Sequence, residues 1–117
     1  MYIRHETGKL GEDLAVKYLE KVGYKVIERN FTCKQGEIDI IAINKKEIIF
    51  IEVKTRTNIK YGKPAEAVDS IKQKHLVKAV KYYLYSRHLE KEFVRIDVIE
   101  IYIYEHKYRV NHIKQII

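Results

Sequence analysis

Residues 36 to 54 constrain this chain more than any other stretch. Gly36-Glu37-Ile38-Asp39-Ile40-Ile41-Ala42-Ile43-Asn44 and Glu47-Ile48-Ile49-Phe50-Ile51-Glu52-Val53-Lys54 are two β-branched, aliphatic runs, and Asn44-Lys45-Lys46-Glu47 between them reads as a turn. Side chains alternate across a strand, so Ile38, Ile40 and Ala42 share one face with Ile49, Ile51 and Val53. That face is wholly apolar and belongs in a core. The other face carries Glu37, Asp39, Ile41 and Ile43, then Ile48, Phe50, Glu52 and Lys54. A turn centred between Lys45 and Lys46 pairs Ile43 with Ile48, Ile41 with Phe50, Asp39 with Glu52, and Glu37 with Lys54. Asp39 and Glu52 would then stand with Cβ atoms ~4.5–5.5 Å apart, an unfavourable placement for like charges. Such a pair signals a bound cation or a raised pKa.

The rest of the chain surrounds this hairpin with helices and further strands. Residues Gly8 to Val22 predict a helix, with Leu10, Leu14, Ala15, Tyr18, Leu19 and Val22 at helical spacing and Gly23 as its stop. Tyr24 to Phe31 predicts a strand, with a turn over Cys33 to Gly36. A polar loop runs from Thr55 to Lys63, and Pro64 opens a short helix to Val68. Asp69 or Ser70 caps a longer helix through Tyr85, whose apolar stripe is Leu76, Ala79, Val80, Tyr83 and Leu84. Phe93 to Tyr104 predicts a strand, and Tyr108 to Ile117 its hairpin return. The expected fold is α/β, an αβββαβ core with a mixed sheet flanked by helices, as one domain over residues 1–117.

Charge narrows the partner. The chain has 23 Lys plus Arg against 16 Asp plus Glu, a net +7, and a pI near 9.4. That balance favours a polyanion such as nucleic acid, or an acidic membrane surface. The lone Cys33 excludes an intrachain disulfide and a multi-cysteine zinc site. No apolar run approaches the ~18–20 residues of a membrane span. Met1 to Lys9 lacks the apolar stretch of a signal peptide. A cytoplasmic protein without a membrane partner is expected.

The order Asp39, then Glu52-Val53-Lys54, resembles the PD-(D/E)XK nuclease motif, with Ile38 where the proline of that name stands. The short pattern is weak alone. A longer series accompanies it: Gly11-Glu12, Ala15, Tyr18-Leu19, Gly23-Tyr24, Arg29-Asn30, Gly36 to Ala42, Phe50 to Arg56, and Arg95 to Ile99. Together these resemble the YraN family, small bacterial proteins of restriction-endonuclease-like fold, similar in layout to archaeal Holliday junction resolvases. The resemblance implies a metal-dependent endonuclease acting on DNA, of branched or structured form, with Mg²⁺ as cofactor and Mn²⁺ able to substitute. Asp39 and Glu52 would hold the metal, joined by the Val53 carbonyl that lies between two site residues. Lys54 would orient the attacking water or stabilise developing charge. Glu12 matches the helix glutamate that completes the acidic cluster; read alone, in the first turn of its helix, it simply favours the positive helix end. The alternative function is a non-catalytic nucleic-acid-binding module on the same fold.

Several flanking residues keep two readings. Thr55, Arg56 and Lys60 follow the charged strand and suit phosphate contacts. Lys72, Lys74 and Lys78 form a phosphate-binding face or an ordinary solvated one. Glu37 is a metal-shell carboxylate or a partner for Lys54, and Gln73 approaches the site only by loose analogy. Asp97 suits a salt bridge with Arg95, Cys33 a packed turn. The histidines have no metal-ligand spacing. A homodimer is expected, with Val98 to Tyr104 and Val110 to Ile117 as candidate surfaces.

Overall fold

The computed structural model describes residues 2–57 and 70–116, with side chains from residue 8 onward. The helix expected over Pro64 to Val68, the Asp69 cap and Lys60 lie outside the described residues. The elements run α1 (Tyr2–Lys21), β1 (Lys25–Cys33), β2 (Gly36–Asn44), β3 (Glu47–Arg56), α2 (Ser70–Ser86), β4 (Phe93–Tyr104) and β5 (Lys107–Ile113). The strands form one five-stranded sheet in chain order, β1 to β5. Every neighbouring pair is antiparallel except β3 and β4, which run parallel because α2 carries the chain back between them. This is the α/β, restriction-endonuclease-like order that the sequence predicts.

Helices cover both sheet faces. Ala15 and Leu19 of α1 pack on Ile40, Ala42, Ile49, Ile51, Ile99 and Ile101. Leu76, Ala79, Val80, Tyr83 and Leu84 of α2 pack on Ile41, Ile48, Phe50 and Ile96. Both faces of the central strands are therefore buried, which is why β3 reads as a near-continuous apolar run. Ile38 joins the α2 layer with Ile41, not the α1 layer with Ile40 and Ala42. The strict alternation expected of β2 breaks at Asp39.

The predicted hairpin register holds only in part. Ile40 to Asn44 pair with Glu47 to Ile51 as expected, but the ladder ends there. Asp39 and Glu52 are not ladder partners, nor are Glu37 and Lys54. The Val53 amide donates to Asp39 Oδ2 at 2.8 Å, so a side chain takes the bond from that end of the hairpin. Beyond Ile51, β3 pairs only with β4, as far as Arg56 opposite Tyr102. Two strands that separate while both stay extended leave a gap at the end of the sheet.

Three further expectations are corrected. The first helix begins at Tyr2, so Glu12 sits mid-helix and not in a first turn. The helix-end explanation of Glu12 therefore fails, since the dipole effect fades within one turn. The stretch from Val98 to Tyr102 offers no surface: β4 is hydrogen-bonded on both sides and its residues there are buried. The returning strand ends at Ile113, before Ile117. The Asp97–Arg95 salt bridge is present, with Arg95 Nε 2.9 Å from Asp97 Oδ1.

Candidate active site

The gap between β2 and β3 opens into a cleft of about 1020 Å³. Glu12, Glu37, Asp39, Glu52, Lys54 and Lys72 all line it, together with Val53 and Thr55. Its position explains how two helices on opposite faces reach one site. Glu12 arrives from the α1 layer and Lys72 from the α2 layer, and the parted strands no longer stand between them.

The α1 approach depends on Gly11. A methyl at that position would overlap Thr55 Oγ1 and stand 3.0 Å from Thr55 Cβ. Only glycine lets the helix lie this close to β3, and the next residue is Glu12. The α2 approach depends on a second glycine, because a methyl on Gly36 would stand 3.1 Å from the His75 carbonyl oxygen. His75 Nδ1 also lies 3.3 Å from Gln35 O, tying α2 to the β1–β2 turn.

Charge is concentrated in the cleft. Glu52 is only 6% exposed, yet Lys72 Nζ stands 2.6 Å and Lys54 Nζ 3.5 Å from its Oε2. Burial, then the Glu52 charge, push Asp39 from an ordinary 3.8 up to about 7, against the favourable Val53 amide. Burial also raises Glu12, although Arg29 lies 3.8 Å away and opposes the shift. Lys54 is lowered by burial and by the neighbouring Lys72 ammonium. Burial also works against charge on Lys72, but the Glu52 carboxylate outweighs it and holds that lysine above the usual range. The site thus gathers a carboxyl that titrates near neutrality and a lysine displaced toward it, the environment of proton-handling chemistry.

The remaining sequence candidates are dispersed. Thr55 lines the cleft beneath α1. Arg56 does not line it; its guanidinium turns to buried Glu100, 3.7 Å away, which also accepts from Tyr102 and Asn111. Lys74 and Lys78 are exposed on α2 outside the cleft lining. Lys72 is exposed on α2 like them, but its ammonium turns to Glu52 in the cleft. Gln73 is half-buried and outside the lining, whereas Glu37 joins it. Ile71, His75 and Thr57 also line the cleft and had no signal in the sequence. Ile71 and His75 are brought there by the packing of α2, and Thr57 by its place just after β3.

For a metal, the cleft supplies hard oxygen donors of the kind Mg²⁺ and Mn²⁺ prefer. Asp39 and Glu52 suit a cation because they repel each other, with the Val53 amide on Asp39 and two lysines on Glu52 opposing that repulsion. Among the described residues, no three His, Cys, Asp or Glu side chains are grouped as a complete ligand set. Any cation there would draw further oxygens from backbone, water or substrate.

A family model described as "Uncharacterised protein family UPF0102" matches residues 11–101. The chain belongs to that family. The match spans Gly11, both carboxylates, Lys54 and all of α2. A UPF0102 protein of Caldanaerobacter subterraneus subsp. tengcongensis is 48% identical over 110 residues, covering 92% of this chain and 90% of its own length. One from Clostridium perfringens is 49% identical over 109 residues, covering 92% and 89%. One from Clostridioides difficile is 47% identical over 108 residues, covering 92% and 93%. UPF0102 is the YraN family of the sequence resemblance. Among the described residues, no helix is long and apolar enough to cross a membrane.

Proposed function

We propose that this UPF0102 protein is a metal-dependent endonuclease that hydrolyses DNA phosphodiester bonds, with branched or structured DNA as its substrate. The observation that carries the reading is the cleft where β2 and β3 part. It gathers Asp39, Glu52, Lys54 and Glu12 from three elements and strains Asp39 toward protonation. A binding module gains nothing from carboxylates facing a phosphate backbone. Asp39 and Glu52 would hold Mg²⁺ or Mn²⁺, with the Val53 carbonyl as a further donor. The bound ion would polarise the scissile phosphate and lower the pKa of a coordinated water. Lys54, already lowered, holds a proton at Nζ and steadies charge that develops on the phosphate oxygens. Glu12 would hold a water or a second ion at the α1 wall. Lys72, 2.6 Å from Glu52, would share that carboxylate with a cation and would meet a phosphate beside it. Thr55, Lys74 and Lys78 contact phosphates alongside the cleft.

The test uses purified protein with branched, single-stranded and linear duplex DNA, in Mg²⁺, Mn²⁺ or chelator. Cleavage that requires metal and favours branched DNA is expected. Mn²⁺ should also raise the melting temperature of the wild type, because a ligand that binds only the folded state stabilises it. Asp39→Asn should lose that gain and cleavage together. Lys54→Ala should keep most of the gain yet lose cleavage, since an ammonium is not a ligand. Binding without cleavage under every metal condition would make the protein a non-catalytic nucleic-acid module instead.

A further inference from the structure

A second, smaller hollow of about 350 Å³ lies on the other side of the β1–β2 turn, against the C-terminal half of α2. Phe31, Lys34, Gln35, Tyr82, Ser86 and Arg87 line it. The Phe31 and Tyr82 rings have centroids 6.4 Å apart and planes inclined at 31°. The Arg87 guanidinium stands 5.9 Å from the Phe31 centroid and 4.7 Å from that of Tyr83. It is fixed before any ligand arrives, because Nη2 donates to both oxygens of Glu28 at 3.0 and 3.2 Å. Aromatic rings and a guanidinium held by Glu28 are together the chemistry that receives a nucleobase.

The hollow adjoins the cleft across one piece of backbone. Gln35 lines the hollow, and Gly36 and Glu37 line the cleft. Along α2, Ile71, His75, Lys78, Tyr82 and Ser86 recur at one-turn spacing on a single face. The first two border the cleft and the last two the hollow, with exposed Lys78 between them. From Lys72 to Tyr82 the helix rises ~15 Å. A stacked strand covers that in roughly four nucleotides at ~3.4 Å each.

We propose that this hollow seats one unstacked nucleobase of the bound strand, a few nucleotides from the cleft, with Lys78 on an intervening phosphate. The inference rests on the nucleic-acid reading above and adds to it a subsite for unpaired bases. Such a subsite favours single-stranded or branched DNA over linear duplex, where every base is stacked and paired.

Binding in chelator at low salt tests this without cleavage. The probes are short oligothymidylates with one abasic site moved along the strand, and the proteins are wild type, Tyr82→Ala and Tyr82→Phe. Tyr82 is 44% exposed, so its truncation leaves the buried face of α2 intact. Wild type should bind about five-fold or more weakly when the abasic site falls at one particular position, as expected for one lost stack. Tyr82→Ala should bind the intact strand with a similar loss, and its abasic scan should be flat. Tyr82→Phe should behave as wild type. A flat scan with the wild type, or a Tyr82→Ala scan that keeps the wild-type profile, overturns the base pocket while leaving the nucleic-acid reading standing. No binding by the wild type overturns both.

Discussion

Two aspartates in this molecule show how surroundings reverse the effect of one substitution. Asp39 faces Glu52 and is pushed to about 7, mainly by burial. Asp97 is fully buried on the α1 face, but His112 Nε2 at 2.7 Å, Arg95 and the Gln115 amide outweigh burial and hold it below the usual carboxylate range. A raised carboxyl binds its proton more tightly in the folded chain than in the unfolded one. Its contribution is therefore fully present below about pH 4 and is lost as pH climbs through 7. Metal-free Asp39→Asn should then be more stable than wild type at pH 8, by about 1 kcal/mol or more, and indistinguishable from it near pH 4. Asp97 has the opposite sign: its stability is present above the ordinary carboxylate pKa and lost at lower pH. Asp97→Asn should destabilise the protein at pH 7 by about 3 kcal/mol, since it takes the buried carboxylate from Arg95 and leaves only the more exposed Glu47 beside it. Glu52→Gln should not follow Asp39→Asn, because Lys54 and Lys72 both rely on that carboxylate. Thermal melts of the three variants at pH 4 and pH 8, in chelator, check all three signs.

At the level of elements, the decisive contacts are close approaches by helices to the sheet. Gly11 against Thr55 sets how far α1 sinks onto β3, and so how far Glu12 reaches into the cleft. Gly11→Ala should destabilise the fold by about 1–3 kcal/mol, as overpacking does. It should also weaken the metal-dependent rise in melting temperature, because Glu12 moves with the helix. Thr55→Ala removes Oγ1 and Cγ2, the first and third of the three Thr55 atoms that the added methyl meets, and leaves only Cβ at 3.0 Å, so Gly11→Ala should cost less in that background. A double-mutant cycle on melting temperature measures the coupling directly. The α2 approach is equally specific but uses polar contacts, with Lys72 on Glu52 and His75 on Gln35. The break of alternation at Asp39 belongs to this scale too, since it re-aims Ile38 into the α2 layer as the strands part.

For the whole molecule, the net charge of +7 sets the expected response to salt. Each phosphate contacted on a single strand should lower the logarithm of affinity by ~0.7 per tenfold rise in salt. Affinity measured across a salt series should fall steeply, and Lys78→Ala should reduce the slope by about one contact. A flat series would remove the nucleic-acid role. Among the described residues the sheet also ends in an open edge at β5, with Tyr104 and Tyr108 exposed beside it. A homodimer formed through that edge would bring two clefts into one two-fold assembly. Light scattering at micromolar concentration should give twice 14.0 kDa, and a monomer would retire the dimer.

Alternation and helical spacing are properties of single elements, and they suffice for much of this molecule. A period of two in residues 36 to 54 dictates a hairpin, its register over Ile40 to Asn44, and strands that carry Asp39, Glu52 and Lys54 together. A period near 3.6 dictates the buried stripe of α2. Periodicity says nothing about where one element stops following another. The parting of β2 from β3 arises because the Asp39 side chain captures the Val53 amide, a competition that depends on the assembled sheet. Glu12 and Lys72 come from helices 60 positions apart in the sequence and on opposite faces, and they meet at the cleft only through close packing on both sides. Arg56 had the same sequence credentials as Thr55, but a buried carboxylate needs a cation, and Glu100 claims the guanidinium. Local patterns decide which way a side chain faces within its own element. Which charges must satisfy one another across elements is decided by the desolvation that tertiary packing imposes.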